Sequence, residues 1–377
     1  MNKSSKLIVI LDVAGRVLDS EETVERHNTY ARELDFNSNS SFKLLIVSLG
    51  KLESKTKHLQ QIDFELIRLP VARNNLLGFA YHAYKNLKAR RIVGFVCGDP
   101  WESYWISLWL KKILFKTSKI QLQLHGDFGS RLWSKDSLKL KLRQQLISLK
   151  SKSIDSLRFT SKNQQLSIQG RFRIICENLV VIPVPLNIPY EIFSQTDKVQ
   201  LEIGLVGRLH LERGLDTFIT FAEAVYTRFP EVRFKIIGNG NKTEWFKTQL
   251  KRRIPERNLS FTSHLSGSEY FRAIGQLSIL CSFAPSESYG RAAREALALG
   301  VPVLAVHSAG MDALAESLPR NTIHFLPDSL ENEAIIEAFE AALDTEVPSN
   351  LPVVFKESNQ RVISDLIESW IKMVRSE

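Results

Sequence analysis

Strand-length apolar runs alternate with helix-length stretches along this 377-residue chain, and a cluster of prolines interrupts the alternation near its middle. Such an alternation folds into a parallel sheet with helices on both faces. Parallel neighbours need a crossover, and the crossover helix must bury its apolar stripe against the sheet. Strands are expected at residues 7–13, 43–49, 64–69, 92–97, 120–124, 157–161 and 179–184, with helices near 20–34, 76–89, 101–116 and 136–150. Pro183-Val-Pro-Leu-Asn-Ile-Pro189 then stops regular structure, because each proline removes a backbone donor. The alternation restarts, with strands at 201–206, 232–237, 259–262, 277–283, 301–306 and 322–325. Helices are expected near 213–228, 242–252, 267–274, 289–299, 309–317 and 330–343, and a last amphipathic helix at about 357–374, following Pro352. The length exceeds one ordinary core. The expected class is α/β, with two doubly wound domains facing a cleft: residues 1–185, residues 186–355, and a C-terminal helix, 356–377, returning to the first. Ligands of such domains bind at the carboxyl ends of the strands.

The richest strand end follows the apolar run at 277–283. Pro285-Ser-Glu-Ser-Tyr-Gly-Arg-Ala-Ala-Arg-Glu-Ala-Leu-Ala-Leu-Gly300 carries Glu287 in the turn and Glu295 inside the next helix. Eight helical residues would separate the two carboxylates by roughly 12 Å. Between them, the N–H groups of Ser288, Tyr289, Gly290 and Arg291 point out of a helix start, where an anion binds. A carboxylate on each side of a phosphate turn matches a ligand with hydroxylated ends and phosphates between, as a sugar nucleotide has. On spacing alone the same two residues also read as solvated surface charge.

Other strand ends add groups to the same edge. Gly207-Arg-Leu-His-Leu-Glu-Arg-Gly214 offers Arg208 and Arg213 beside a glycine that lets backbone approach a ligand, and arginine matches phosphate oxygens geometrically. Gly238-Asn239-Gly240 follows the next strand. Lys242-Thr243 stands where a dinucleotide fingerprint needs its third glycine, which argues against a dehydrogenase. In the first half, Gly98-Asp99-Pro-Trp-Glu102, His125-Gly-Asp127-Phe-Gly129 and Asp12-Val-Ala-Gly15-Arg16 end strands facing the same cleft. His125 is a candidate to exchange protons or accept a hydrogen bond there. A structural role for the same ring stays open.

The net charge is +9 and is uneven. Residues 1–186 carry 30 Lys/Arg against 16 Asp/Glu, and residues 111–173 alone carry 15 against 3. A face of that sign attracts anionic lipid or nucleic acid. No nucleic-acid motif accompanies it, and its helices mix Leu, Ile and Trp with Lys, so an anionic membrane surface is the expected partner and nucleic acid is not. No apolar run reaches the ~18–20 residues of a membrane span. Cys97, Cys176 and Cys281 fit no disulfide or metal framework. The expected location is the reducing cytoplasm, peripheral on the inner face of the cell membrane.

The three blocks of the second half, G-R-x-x-x-E-R-G, I-I-G-N-G and P-S-E-x-x-x-x-x-x-x-E-A-x-A-x-G-x-P-V, together resemble the second domain of GT-B glycosyltransferases of family 4, the retaining E-x7-E enzymes. They cover residues 203–305. Gly98-Asp-Pro-Trp, Leu122-Gln-Leu-His-Gly-Asp and Leu157-Arg-Phe-Thr-Ser161 resemble stretches of the bacterial polysaccharide branch. The resemblance implies two Rossmann-like domains and a retaining transfer from a nucleotide sugar to a glycan or lipid-linked acceptor. It implies Glu287 on donor-sugar hydroxyls, Glu295 on the ribose, and Arg208 and Arg213 on the diphosphate. Gly207, Gly238, Asn239, Gly240, Ser288, Tyr289 and Gly290 would line the donor, and His125 would lie near the anomeric carbon. Gly15, Arg16, Asp99 and Asp127 are the acceptor-side candidates.

Arg213 stands where the family usually has Lys, Tyr289 where Phe is common, and Ser263 where a glycine is common. The first loop lacks the usual paired glycines. No Asp-x-Asp occurs, so no metal is expected, and no cofactor besides the donor itself. A sugar-nucleotide epimerase or hydrolase, and a non-catalytic sugar-nucleotide-binding subunit, remain alternatives on the same scaffold.

Overall fold

The computed structural model describes residues 5–18, 21–50, 62–72, 75–130, 133, 138–150, 153–186, 188, 200–265 and 267–376, with the side chains at 139 and 146–150 left aside. The first half holds β1 (Lys6–Asp12), α1 (Glu21–Asn37), β2 (Phe42–Leu49), β3 (Glu65–Leu69), α2 (Leu76–Leu87), β4 (Ile92–Cys97), α3 (Glu102–Ile113), β5 (Lys119–Leu124), α4 (Leu138–Lys150), β6 (Ser156–Phe159), α5 (Lys162–Arg171) and β7 (Leu179–Val181). The second holds β8 (Glu202–Val206), α6 (Leu215–Arg228), β9 (Arg233–Ile237), α7 (Thr243–Lys251), β10 (Leu259–Thr262), α8 (Gly267–Gly275), β11 (Ile279–Ser282), α9 (Arg291–Ala298), β12 (Val303–Ala305), α10 (Ala309–Glu316), β13 (Ile323–Phe325), α11 (Asn332–Leu343) and α12 (Leu351–Arg375). The expectation of seven plus six strands is met.

Each half forms one all-parallel sheet. The orders are β3-β2-β1-β4-β5-β6-β7 and β10-β9-β8-β11-β12-β13. Both reverse direction once, between β1 and β4 and between β8 and β11. A crevice opens outside the strand ends at such a switch point. It places the loops after β1 and β4 in one lobe, and those after β8 and β11 in the other, at the site. Central strands such as β1, KLIVILD, are buried on both faces, as helix-covered parallel strands must be. Cys97, Cys176 and Cys281 are free and buried.

Two elements depart from the sequence reading. The helix α5 was not expected: its sequence, KNQQLSIQGR, buries Ile168 but leaves Leu166 exposed, and so shows no apolar stripe. Ser161 caps it, its hydroxyl accepting the Gln164 N–H at 3.1 Å. Helix α12 begins at Leu351, not at 357, with Pro352 inside its first turn, where a missing N–H costs nothing. Its Leu351 and Phe355 belong to the second lobe's core. Val362, Leu366 and Trp370 pack with α1 and β1 in the first. The helix therefore runs unbroken through residue 356 and returns to the first sheet. There the Trp370 indole N–H donates to Gln121 Oε1 at 2.9 Å, the partner a buried tryptophan needs.

Candidate active site

The loops at the second sheet's switch point meet around Glu287. Its Oε2 pairs with Arg213 Nη2 at 2.8 Å. Its Oε1 accepts the backbone N–H groups of Ser288, Tyr289 and Gly290 at 3.1, 3.3 and 3.1 Å. Gly290 makes this turn possible: it caps α9 with φ 74°, a left-handed conformation glycine adopts without strain. The Gly310 N–H holds the Glu287 carbonyl from behind at 2.8 Å. Burial pushes the Glu287 carboxyl up, but the Arg213 charge and the N–H groups outweigh it and leave its pKa below the usual carboxylate value.

This geometry corrects one expectation. The N–H groups of Ser288, Tyr289 and Gly290 are already taken by Glu287, so they do not wait open for an anion. Of the first residues of α9, Arg291 and Ala292 line the cavity.

The loop after β8 supplies the positive charge. Arg208 is exposed to the cavity and forms no ion pair among the described residues. Surrounding protein first, and the Arg213 and Arg16 charges after it, press its pKa down. Three arginines, Arg208, Arg213 and Arg16, act there against two carboxylates, Glu212 and Glu287, and leave a positive field that a diphosphate would neutralise. Gly238 is required behind them: its φ is 145°, and a Cβ there would stand 1.9 Å from the Gly207 carbonyl oxygen.

Glu295, on α9, is fully buried. Its Oε1 accepts from Arg291 Nε at 2.7 Å and its Oε2 from the Tyr270 hydroxyl at 2.7 Å. Burial and then the Glu295 charge push the Tyr270 phenol well up. Burial opposes the Arg291 charge, but Glu295 more than offsets it and raises its pKa. Arg291 and Tyr270 were not singled out in the sequence. The i,i+4 spacing of Arg291 and Glu295 was a usable signal, whereas Tyr270 arrives from another helix.

These groups line a cavity of about 620 Å³ that holds Gly207, Arg208, Arg213, Gly238, Asn239, Glu287, Gly290 and Glu295. Gly240 does not line it; a Cβ there would meet the Leu209 carbonyl at 2.3 Å, so this glycine serves loop packing. Ser288 and Tyr289 do not line it either. The Tyr289 ring is buried beneath Arg294, whose guanidinium carbon lies 4.2 Å from the ring centre.

A second cavity, about 730 Å³, opens in the first lobe and holds Arg16, Arg26, Asp99, His125 and Arg158. Thr23 on α1 lines both cavities, so they adjoin. Asp12 shapes the first loop, accepting from the Arg16 and Val17 N–H groups at 2.9 and 2.8 Å and from the Ser48 hydroxyl at 2.7 Å. Gly15 sets the turn, with φ 66°, without lining the cavity. Asp99 accepts the Trp101 N–H at 2.8 Å. Asp127 is displaced from its expected place. It is buried outside both cavities, bonded to the Ser167 hydroxyl at 2.9 Å, and orders the loop.

Arg158 is buried, donating to the Ile182 carbonyl at 2.9 Å, to the Pro183 carbonyl and to Gln123 Oε1 at 3.0 Å, and among the described residues it pairs with no carboxylate. Burial lowers its pKa to about 10. His125 is an exposed residue of the cleft; the protein around it first, and the Arg158 and Arg26 charges after it, push its pKa below the ordinary imidazole value. His125 is neutral at ordinary pH.

Ser288 joins the lobes. Its hydroxyl donates to the His125 carbonyl at 2.8 Å, while its own carbonyl accepts from the Thr160 and Ser161 hydroxyls, both at 3.2 Å. Glu22 on α1 accepts the Gly267 N–H across the same gap at 2.8 Å. Among the described residues no cluster of three His, Cys, Asp or Glu could hold a metal ion, and no helix is long and apolar enough to cross a membrane.

Residues 191–371 match the model of the family Glycosyl transferases group 1. No curated protein matches the chain. Among solved structures it is similar to HepE of Anabaena in complex with UDP and glucose, at 14% identity and TM-score 0.70, over 97% of this chain and 99% of that one. It is similar to a point mutant of S. aureus TarM in complex with fondaparinux, alpha-GlcNAc-glycerol and UDP, at 13% identity and TM-score 0.69, over 99% and 100%. Sucrose-phosphate synthase of Thermosynechococcus elongatus matches at 14% and 0.69, over 98% and 96%. The fold of the whole chain is that of these two-lobed GT-B proteins.

Proposed function

We propose that this chain, whose residues 191–371 match the group 1 glycosyl transferase model, moves a sugar from a nucleotide-sugar donor to a glycan or lipid-linked acceptor. We place it in the retaining family 4, with no metal in the reaction and a role in bacterial surface polysaccharide synthesis. The observation that carries the reading is Arg208, a cation with no ion pair among the described residues, beside the Arg213–Glu287 pair in the second-lobe cavity.

The diphosphate would lie against Arg208 and Arg213 and the N-terminus of α9, which stabilise the negative charge that grows on it as the sugar–phosphate bond breaks. Glu287 stays ionised and fixed, so it can accept hydrogen bonds from the donor sugar without taking up a proton. Glu295, with two donors already on its oxygens, keeps lone pairs for the ribose. Neutral His125 would face the reacting carbon from the other lobe, where its ring can accept a hydrogen bond but adds no positive charge beside a cationic sugar. Retention would follow from same-face attack of the acceptor.

HepE and TarM carry UDP in their structures, which supports UDP-sugars as the first donors to try. The basic region 111–173 supports contact with an anionic membrane. Part of it is neutralised internally, since Lys111 and Lys119 both pair with Asp155, at 2.7 and 3.8 Å. The test is nucleotide release from a panel of UDP-, GDP- and ADP-sugars, with and without acceptor, by the wild type, Glu287→Ala and Arg208→Ala. Loss in both variants supports the assignment. Full activity in both refutes it, and equal release without acceptor turns the reading to a hydrolase or epimerase.

A further inference from the structure

Beside the first-lobe cavity lies a third opening, a groove of about 540 Å³ between α2 and α3. Its walls are unlike the rest of the surface. Leu77 is 86% exposed, Tyr81 58% and Trp105 49%, with Trp109 next to them. Large apolar side chains gathered in one open patch mark a place where something apolar rests. Scattered single ones would need no explanation.

The groove is not isolated. Leu76 and Glu102 line both it and the first-lobe cavity, so a chain lying in the groove leads into the cavity. Glu102 sits at that junction, and Arg143 neutralises it. The passage therefore carries no uncompensated negative charge. Beyond it, Arg16 and Arg26 form no ion pair among the described residues, and buried Arg158 has only carbonyl and amide partners. Against these three cations the same cavity holds Asp12, turned onto the Arg16 and Val17 N–H groups and the Ser48 hydroxyl, and Asp99, turned onto the Trp101 N–H, so the lining stays net positive. The cavity thus presents an excess of cations at one end and an apolar trough at the other.

We propose that the acceptor is an anionic amphiphile, with a phosphate-bearing head held by Arg16, Arg26 and Arg158 and its hydrocarbon chain laid along the Leu77–Tyr81–Trp105 groove. This rests on the proposed transfer reaction and names the acceptor class for it. A free oligosaccharide would leave the trough empty and the cavity's excess positive charge unmatched. A protein partner on the groove would have no use for the cavity behind it. The head then lies next to the donor cavity, which adjoins at Thr23.

The test is calorimetric titration with dodecyl phosphate below its micelle concentration, and with inorganic phosphate, in saturating UDP so that the donor lobe is occupied. The wild type should bind dodecyl phosphate at least tenfold more tightly than inorganic phosphate. The double variant Leu77→Glu/Trp105→Glu, altered only at exposed positions, should lose at least tenfold in dodecyl phosphate affinity while keeping its inorganic phosphate affinity and its melting temperature. Arg26→Gln should weaken both ligands. Equal binding of the two phosphates, or no response to the groove variant, overturns the proposal. So does a groove variant that loses only vesicle binding, because the groove would then be a membrane anchor. UDP binding, read separately by titration without phosphate, reports on the transferase reading: its absence would sink that reading whatever the amphiphile does.

Discussion

Glu287→Gln separates two roles that are otherwise superimposed. In the native protein the carboxylate neutralises Arg213 at 2.8 Å while occupying three N–H groups. Glutamine can keep its carbonyl on those N–H groups, but its amide then faces Arg213 donor to donor, and Arg213 is released beside Arg208. Removing one negative charge from the lining beside a bound diphosphate, in a half-screened cleft, should favour that diphosphate by ~1–2 kcal/mol. UDP should therefore bind about 5–30-fold more tightly to the variant. Turnover of the sugar nucleotide should fall by roughly 10²–10³ if Glu287 faces the sugar as proposed. Breaking a mostly buried pair should cost ~1–3 kcal/mol of stability, or a melting point lower by about 2–10 °C. The Glu287 pKa is depressed in the folded state. The native protein therefore holds a stability contribution above the ordinary carboxylate value of 4.5 that is lost as pH falls through the folded pKa, and the variant should lack this acid-range loss. The assays are calorimetry with UDP in EDTA, nucleotide release, and thermal unfolding between pH 3 and 7. A folded variant with unchanged or weaker UDP binding and normal turnover would refute the electrostatic account.

Four further outcomes are expected. Arg208→Ala should leave the melting point unchanged, since the side chain is exposed and unpaired, yet lower kcat/KM by ~10²–10³; a stability loss without a kinetic one would contradict its role. Gly238→Ala forces a side chain to φ 145° and against the Gly207 carbonyl, so chemical denaturation should show a loss on the order of 2–4 kcal/mol. Ser288→Ala removes the hydroxyl bond to the His125 carbonyl and should loosen the lobes, with faster hydrogen exchange at both loops and a cost of ~1 kcal/mol. His27, buried and with its pKa lowered to about 4, refuses a proton that the unfolded chain takes near 6.5. Stability should thus fall by ~1.4 kcal/mol per pH unit across the window between those values, and His27→Gln should flatten that slope.

Nearly all of the fold was legible because its signal is local. Buried parallel strands are short apolar runs, and each such run in the sequence became a strand. The miss at α5 has the same cause in reverse. KNQQLSIQGR sits on the rim with little to bury, so its helix is held by the Ser161 cap and by Gln164, which bonds the Leu124 and Gly126 carbonyls. The Pro352 misreading came from treating a first-turn proline as a boundary. In the site, Glu287, Arg208 and Arg213 stood out at strand ends, where spacing alone left surface charge as the other reading, and the cavity brings them together. What the spacing could not show was which groups are already partnered. That Glu287 occupies the N–H groups of its own loop depends on Gly290 turning left-handed. That Glu295 is shared by Arg291 and Tyr270 depends on α8 arriving from elsewhere. Arg158 lies in the stretch Leu157–Ser161 without having been marked as a site residue, Arg26 lies on a helix that carries no motif, and only the fold brings them and the α2–α3 groove to one face.

The central claim is that Arg208 and Arg213 hold the diphosphate of a nucleotide donor without a metal. Calorimetric titration of UDP in the presence of EDTA, for the wild type and Arg208→Ala side by side, tests it most directly. The account predicts measurable binding by the wild type that EDTA leaves intact, and at least a thirtyfold loss in the folded variant. Binding that vanishes in EDTA, or that is indifferent to Arg208, would contradict it.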